Sequence, residues 1–201
     1  MILVLVLKII TAVIIVFFLR PHVAAVIQTL LPSTVRHRFI DEPMPPLFQE
    51  FIDRGYTFVG IRQEKIPLIF SRKYAVFHNK DGYFTDIPIG SLKGIYIISW
   101  IPETIFLMTR NTGMGNISSG IYHSFKVSSG IIRMEKEHLS QLAKLSMGDL
   151  PEVKSDRNTR LEAARFWYSS CARGEMWKFA VLSGIITLIG IALIVRIFLI
   201  K

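Results

Sequence analysis

Trp177-Lys-Phe-Ala-Val-Leu-Ser-Gly-Ile-Ile-Thr-Leu-Ile-Gly-Ile-Ala-Leu-Ile-Val-Arg-Ile-Phe-Leu-Ile-Lys201 carries 17 consecutive uncharged residues, from Phe179 to Val195, between Lys178 and Arg196. At about 1.5 Å per residue, roughly 20 residues cross a hydrocarbon core of ~30 Å, with the flanking cations reaching back to the headgroups. A small domain cannot enclose so long an apolar rod on every side, so the stretch reads as a transmembrane helix over 177–200. Trp177 and the Phe166-Trp167-Tyr168 cluster then belong near the interface, where amphipathic rings settle.

A second apolar stretch lies at the other end, from Ile2 to Leu19. Lys8 interrupts it close enough to its start to snorkel outward. Arg20-Pro21-His22 follows, and placing it at mid-bilayer buries a charge at a cost of ~2.5 kcal/mol or more while removing a helical hydrogen bond. The expected span is therefore 1–20, with 21–42 an interfacial helix from about Val23 to Leu31 and a linker. A cleaved signal peptide fits less well, because no charge precedes the apolar core.

These two ends account for the composition of the 201-residue chain, 51% hydrophobic and 19% charged, with mean hydropathy +0.41. Between them the sequence is ordinary globular material. The basic residues Arg20, Arg36, Arg38, Arg160, Arg165, Arg173 and Lys178 lie on the domain side of the spans, against Lys8, Arg196 and Lys201 on the other. The positive-inside rule then places the domain, 43–176, in the cytoplasm of a bacterial cell, with both tails outside the inner membrane. A single cysteine, Cys171, excludes an internal disulfide.

Inside the domain, Glu42-Pro-Met-Pro-Pro46 is an elbow, followed by Leu47, Phe48, Phe51 and Ile52 at helical spacing up to Arg54-Gly55. The period then becomes two. Strands are expected over 56–61, 67–78, 83–89, 94–101, 104–110 and 122–127, with turns at Asn79-Lys-Asp-Gly82 and Ile101-Pro-Glu-Thr104. Helical spacing returns over 131–145, with Ile132, Leu139, Leu142 and Leu145 as the expected apolar side, and Met147-Gly-Asp-Leu-Pro151 as the stop. A further helix from about Asp156 runs on toward the second span. The expectation is an α+β fold, an antiparallel meander of about 5–6 strands covered by helices and flanked by the two transmembrane helices.

Gly55-Tyr-Thr-Phe-Val-Gly60, Val76-Phe-His-Asn-Lys-Asp-Gly-Tyr-Phe84 and Ile105-Phe-Leu-Met-Thr-Arg-Asn111, followed by a helix with His138, resemble the order of parts in a loose set of uncharacterised bacterial α+β proteins. The resemblance covers about residues 45–170. It implies the fold and brings no activity.

Chemistry is sparse. The five histidines, at 22, 37, 78, 123 and 138, form no HExxH or zinc-ligand spacing, so no metal and no cofactor is expected. Glu135-Lys-Glu137-His138 reads as a solvated helix face, since adjacent helical residues do not face each other. Thr112-Gly-Met-Gly-Asn-Ile-Ser-Ser-Gly120 is the most suggestive loop, its Asn111, Asn116, Ser118 and Ser119 being suited to a phosphate or headgroup, although it is neither a Walker loop nor a nucleophile elbow. Cys171 reads as a packing residue. The formal charge of +9 comes from dispersed basic residues that gather beside the spans, which favours anionic lipid over nucleic acid. Ser183, Gly184, Thr187 and Gly190 give the second span small residues for close helix approach. The expected function is an accessory or scaffolding subunit of a larger integral membrane complex. Alternatives are an interfacial enzyme using Ser118, Ser119, His123 or Cys171, or an anionic-lipid sensor.

Overall fold

The computed structural model describes residues 2–69, 71–91, 94–113, 115–145 and 154–199. The chain divides into two compact units, one of Met1–Arg36, Lys65–Ser71 and Tyr168–Lys201, the other of His37–Glu64 and Arg72–Trp167.

The first unit is built on two long helices, α1 (Ile2–Leu30) and α5 (Ala172–Leu199). Both are long and apolar enough to cross a membrane. The break expected at Pro21 is absent, and α1 runs through it. Proline removes one i to i−4 hydrogen bond, but an apolar helix has no alternative partners for its remaining backbone groups and keeps its ladder. Leu19 lies against Gly190, His22 against Ser183 and Val26 against Gly184, so α1 and α5 pack antiparallel. At Gly190 the approach is tight: a Cβ there would stand 2.6 Å from Leu19 Cδ1. The hydroxyls of Thr11, Thr29 and Thr187 each donate to a carbonyl one turn back, which satisfies these three donors within the helices.

The second unit is a single eight-stranded sheet in the order β1-β2-β3-β4-β5-β6-β8-β7. Its strands are β1 (Arg36–Ile40), β2 (Thr57–Lys65), β3 (Arg72–Asn79), β4 (Tyr83–Pro88), β5 (Tyr96–Ile101), β6 (Ile105–Arg110), β7 (Ile117–Ser119) and β8 (Tyr122–Lys126). The outer residues Arg36 and Lys65 fall to the helical unit. From β2 to β6 the pairing is the expected antiparallel meander. Two strands exceed the expected count, and each has a reason. β1 lies in the stretch read as linker, where Arg36-His-Arg38 hides its alternation. β7 lies in the glycine- and serine-rich loop and pairs antiparallel with β8, which thereby enters between β6 and β7 and runs parallel to β6. The meander is not continuous to the edge.

Both faces of the sheet are covered, which is why β6 is buried along its whole length. One face packs against a 3-10 turn (Pro46–Phe48), α2 (Gln49–Asp53) and α3 (Ile131–Leu145). Phe48, Phe51, Tyr56, Ile61, Phe77, Tyr83, Ile97 and Met134 form its core, with Phe51 stacked on Phe77 at 5.0 Å. Each such side chain contributes about 1.5–3 kcal/mol on leaving water. The buried side of α3 differs from the expected one. Ile132 and Leu139 are exposed, while Ile131, Met134, His138, Leu142 and Leu145 face inward. That stripe steps by three and four residues as a helix requires, and His138 concealed it because a polar residue occupies its centre.

The other face packs against α4 (Arg157–Phe166). Asp156 caps this helix, its Oδ1 accepting from the Thr159 amide at 2.8 Å. Phe166 stacks on Trp100 at 6.0 Å and lies 5.6 Å from Phe106, and Trp167 donates to the Tyr122 hydroxyl. Helical residues continue from Arg157 to Leu199 through a π-helical turn at Trp167–Cys171. The stop expected at 147–151 lies outside the described residues.

Candidate functional site

Of the residues expected to cradle a headgroup, Asn111 and Asn116 are engaged with neighbouring backbone amides. Asn111 Oδ1 accepts from the backbone of Gly94 and Ile95 at 2.9 and 3.0 Å, tying the end of β6 to the approach to β5. Asn116 Oδ1 accepts from the Lys126 amide at 2.9 Å. The centre of the loop is Arg110, which donates to Ser124 Oγ and to the carbonyls of Thr112 and Gly115. Its guanidinium fills the space beside Gly113, where a Cβ would collide with Nη1 and the backbone sits at φ +96°. The loop is thus wrapped around an arginine of its own.

Ser118 and Ser119 sit exposed on β7. Ser118 Oγ lies 2.7 Å from His123 Nδ1, a contact that follows from their being directly opposed in the β7–β8 register. Among the described residues no carboxylate bonds His123, so the orienting member of a nucleophilic triad is missing. Cys171 belongs to the other unit. There burial, with Glu175 adding to it, pushes its thiol up to about 12, which keeps it protonated and unreactive at neutral pH. Among the described residues no three His, Cys, Asp or Glu side chains gather where a metal ion could be held.

The densest polar constellation is one the sequence does not announce. Arg62 on β2, Asp86 on β4 and Arg160 on α4 are 3%, 0% and 2% exposed. Asp86 accepts from both arginines: Oδ2 from Arg62 Nε at 3.0 Å, Arg62 Nη2 at 2.8 Å and Arg160 Nη2 at 2.6 Å, and Oδ1 from Arg160 Nε at 2.9 Å. Arg62 Nη1 reaches Glu64 at 3.3 Å and His37 Nδ1 at 3.1 Å, and its guanidinium lies 4.5 Å over the Tyr74 ring. Two cations and two anions therefore share one buried volume.

Burial alone would raise the Asp86 carboxyl, but Arg160 and Arg62 outweigh it and hold the group below the usual carboxylate range. Burial works against charge on Arg62 too, and Asp86 and Glu64 more than offset it, so its pKa stands above normal. Arg160 stands below normal, through burial that its pairing with Asp86 does not fully offset and through repulsion from Arg62. His37 is driven down to about 3 by burial and by the arginines, and is a neutral acceptor here.

Beneath α3, His138 is fully buried, with Nε2 2.9 Å from Ser99 Oγ and Nδ1 3.0 Å from Thr109 Oγ1. Burial lowers it to about 3, so it too is neutral. The solvated face expected at 135–138 is thus absent: His138 is buried, Glu135 accepts from Arg54 and the Tyr56 hydroxyl, and Glu137 accepts from Gln141, so neither acid is bonded to the imidazole. At the N-terminal end of α3 an open groove of about 450 Å³ is walled by Asn116, Lys126, Ser128, Arg133 and Glu137. Lys126 and Arg133 against Glu137 leave it one net positive charge.

On the helical unit, Ser183 and Gly190 are buried against α1, Gly184 lies partly buried beside Val26, and Thr187 bonds the Ser183 carbonyl. The small-residue seam is occupied within the chain. Arg36, Arg173, Trp177 and Lys178 are exposed, and Arg38, also exposed, donates to Gln63. Arg20 donates twice to one carbonyl, that of Leu68, at 3.1 and 2.9 Å.

Searches against family models, curated proteins and solved structures find no match to this chain. Fold and site together define a mixed α+β protein with a long apolar helix at each end, each able to cross a membrane by length and composition.

Proposed function

We propose that this chain is a non-catalytic accessory or scaffolding subunit of a larger integral membrane complex, anchored in a bacterial inner membrane by α1 and α5. The observation that carries the reading is the surface of the helix pair. Leu3, Leu7, Val13, Phe17 and Phe18 on α1, with Leu182, Leu188, Ile189 and Leu193 on α5, are exposed large apolar side chains. Patches of that extent mark a lipid or protein contact. The polar groups of the sheet unit support the same reading, since the chemistry available is engaged in holding strands, loops and α4.

The cation distribution favours a cytoplasmic domain. Arg160 is withdrawn from the count by its pairing with Asp86, yet Arg165, Arg173 and Lys178 remain exposed before the second helix and Arg36 and Arg38 after the first. These also suit an anionic leaflet, each at ~1 kcal/mol. In this reading the small-residue seam joins α1 to α5, and the partner complex meets their outward aliphatic faces.

Extraction of the native membrane in mild detergent, followed by affinity capture of the full chain, tests the proposal. Stoichiometric recovery of a larger membrane assembly is the expected result. A chain that elutes alone, at its own mass plus a detergent belt, overturns it.

A further inference from the structure

The loop between β2 and β3 belongs to the helical unit, and its composition is unlike that of a solvent turn: Ile66-Pro67-Leu68-Ile69. Ile69 N donates to the Ile66 carbonyl at 3.4 Å, closing a four-residue turn with Pro67 second and Leu68 third. Leu68 sits at φ 67°. Proline followed by a residue of positive φ is the pattern of a type II turn, whose third position takes glycine or asparagine because other side chains strain the backbone there. Here it is leucine, 48% exposed.

Two things happen at this residue. Its carbonyl is turned onto Arg20, which donates through both Nε and Nη2. Its apolar side chain is carried outward beside α1, whose neighbouring Phe17 and Phe18 are 62% and 69% exposed. In water an exposed leucine gains nothing to offset a strained turn. In an acyl environment it does.

The depth of Arg20 follows from the helix register. By the apolar run of α1, Arg20 stands at its end. By α5, Leu19 is level with Gly190, which is 12 residues beyond the flanking Lys178, or about 18 Å along the helix. The first measure sets Arg20 at the boundary between headgroups and acyl chains and the second sets it deeper, so on either one Arg20 stands no shallower than that boundary. A guanidinium there needs a protein acceptor, and a backbone carbonyl supplies one.

We infer that the β2–β3 loop is a membrane-inserted tip: Leu68 and Ile69 enter the acyl boundary of the same leaflet that α1 and α5 cross, and the Leu68 carbonyl partners Arg20 there. The inference rests on the membrane reading above. It adds a third point of contact with lipid to the two helices of the same unit.

The test uses the full chain carrying Cys171→Ala, with single cysteines introduced by Leu68→Cys, Ile69→Cys, Asp81→Cys and Ile191→Cys. Each is labelled with an environment-sensitive fluorophore and reconstituted in phosphatidylcholine–phosphatidylglycerol vesicles. Asp81, in the turn at the far end of β3, is the aqueous reference, and Ile191 on α5 is the lipid reference. Labels at 68 and 69 are expected to be quenched several-fold more strongly by lipids with a nitroxide high on the acyl chain than the label at 81, and to resist iodide. Labels at 68 and 69 as open to iodide as that at 81, with 191 still quenched by lipid, overturn the loop insertion and leave the anchor intact. A label at 191 open to iodide overturns the membrane reading itself, and the inserted loop with it. Position 69 guards against a turn perturbed by replacing Leu68.

Discussion

On one face of the sheet α3 holds a single imidazole, His138, between the hydroxyls of Ser99 and Thr109; on the other, α4 holds Arg160 against Asp86 and Arg62. Both sites are fully buried and both place a polar side chain where an apolar core would otherwise continue. The first is neutral. Burial lowers the imidazole to about 3, and two hydroxyls satisfy its two nitrogens without introducing charge. The second keeps full charges and balances them, two guanidinia against Asp86 and Glu64. Losing one partner from the first leaves an unsatisfied hydrogen bond, whereas losing one from the second leaves a buried ion, and these costs differ severalfold.

Asp86→Asn should therefore be the most damaging single change in the sheet unit. It leaves Arg62 and Arg160 with Glu64 as the sole counter-charge, and breaking a buried pair in this way costs about 3–5 kcal/mol. Urea unfolding of the full chain in detergent, followed by tryptophan fluorescence, reads it directly, since Trp100 and Trp167 lie on the α4 face. A loss below about 1 kcal/mol would show that water reaches the network and that the contrast between the faces is smaller than the geometry states.

The contrast between the faces was hidden in the sequence for a physical reason. Arg62, Asp86 and Arg160 come from strands and a helix far apart in the chain, and only folding brings them together. The one local sign is Asp86 in the interior of the otherwise uncharged strand Tyr83-Phe-Thr-Asp-Ile87. His138 was hidden by polarity, because a helix face read for apolar residues selects Ile132 and Leu139, which the structure exposes. The strands rich in β-branched and aromatic residues, such as Tyr96–Ile101 and Ile105–Arg110, were legible because burial and period two coincide there. β1 and β7 were not, since the polar pair Arg36 and Arg38 and the short run Ile117-Ser-Ser119 follow from pairing with neighbours rather than from their own composition. The long apolar helices were legible as elements, but the end of the first was not, since α1 runs through Pro21 to Leu30. What their cations do was not, because Arg20 finds its acceptor 48 residues away in the chain.

Acid should act on both faces, through one buried histidine on each. His138 binds its proton at about 3 when folded and near 6.5 when unfolded. As pH falls below about 6.5 the unfolded chain takes up a proton that the folded one refuses, so stability is lost progressively down to about pH 3. His37 is lowered to about 3 as well and acts in the same window. Asp86 is lowered from 3.8, so its contribution is fully present above the ordinary carboxylate range and is lost only as pH falls through its folded value. His138→Gln, which retains an amide to bond the hydroxyls, should halve the slope of stability against pH between about 6 and 4, removing about 1.4 kcal/mol per pH unit. A slope unchanged by the substitution would mean that His138 is protonated in the folded protein, and the α3 face would then carry a charge as the α4 face does.

The smallest expected effect tests how the charged face is assembled. Asp156 is an aspartate like Asp86, but it stands exposed at the N-cap of α4, where its side chain accepts from Thr159 and its carbonyl accepts from the Arg160 amide at 3.3 Å. Asp156→Ala should cost about 1 kcal/mol, the ordinary loss of a cap. The informative measurement is the double variant with Asp86→Asn. The cap fixes the first turn of α4 and with it the position from which Arg160 reaches Asp86, so part of the Asp156→Ala cost is loss of that reach. Once Asp86 has lost its charge, that part is already gone, and the second substitution should cost less than it does alone. Additivity within about 0.5 kcal/mol would show instead that Arg160 is held by the sheet rather than by its own helix.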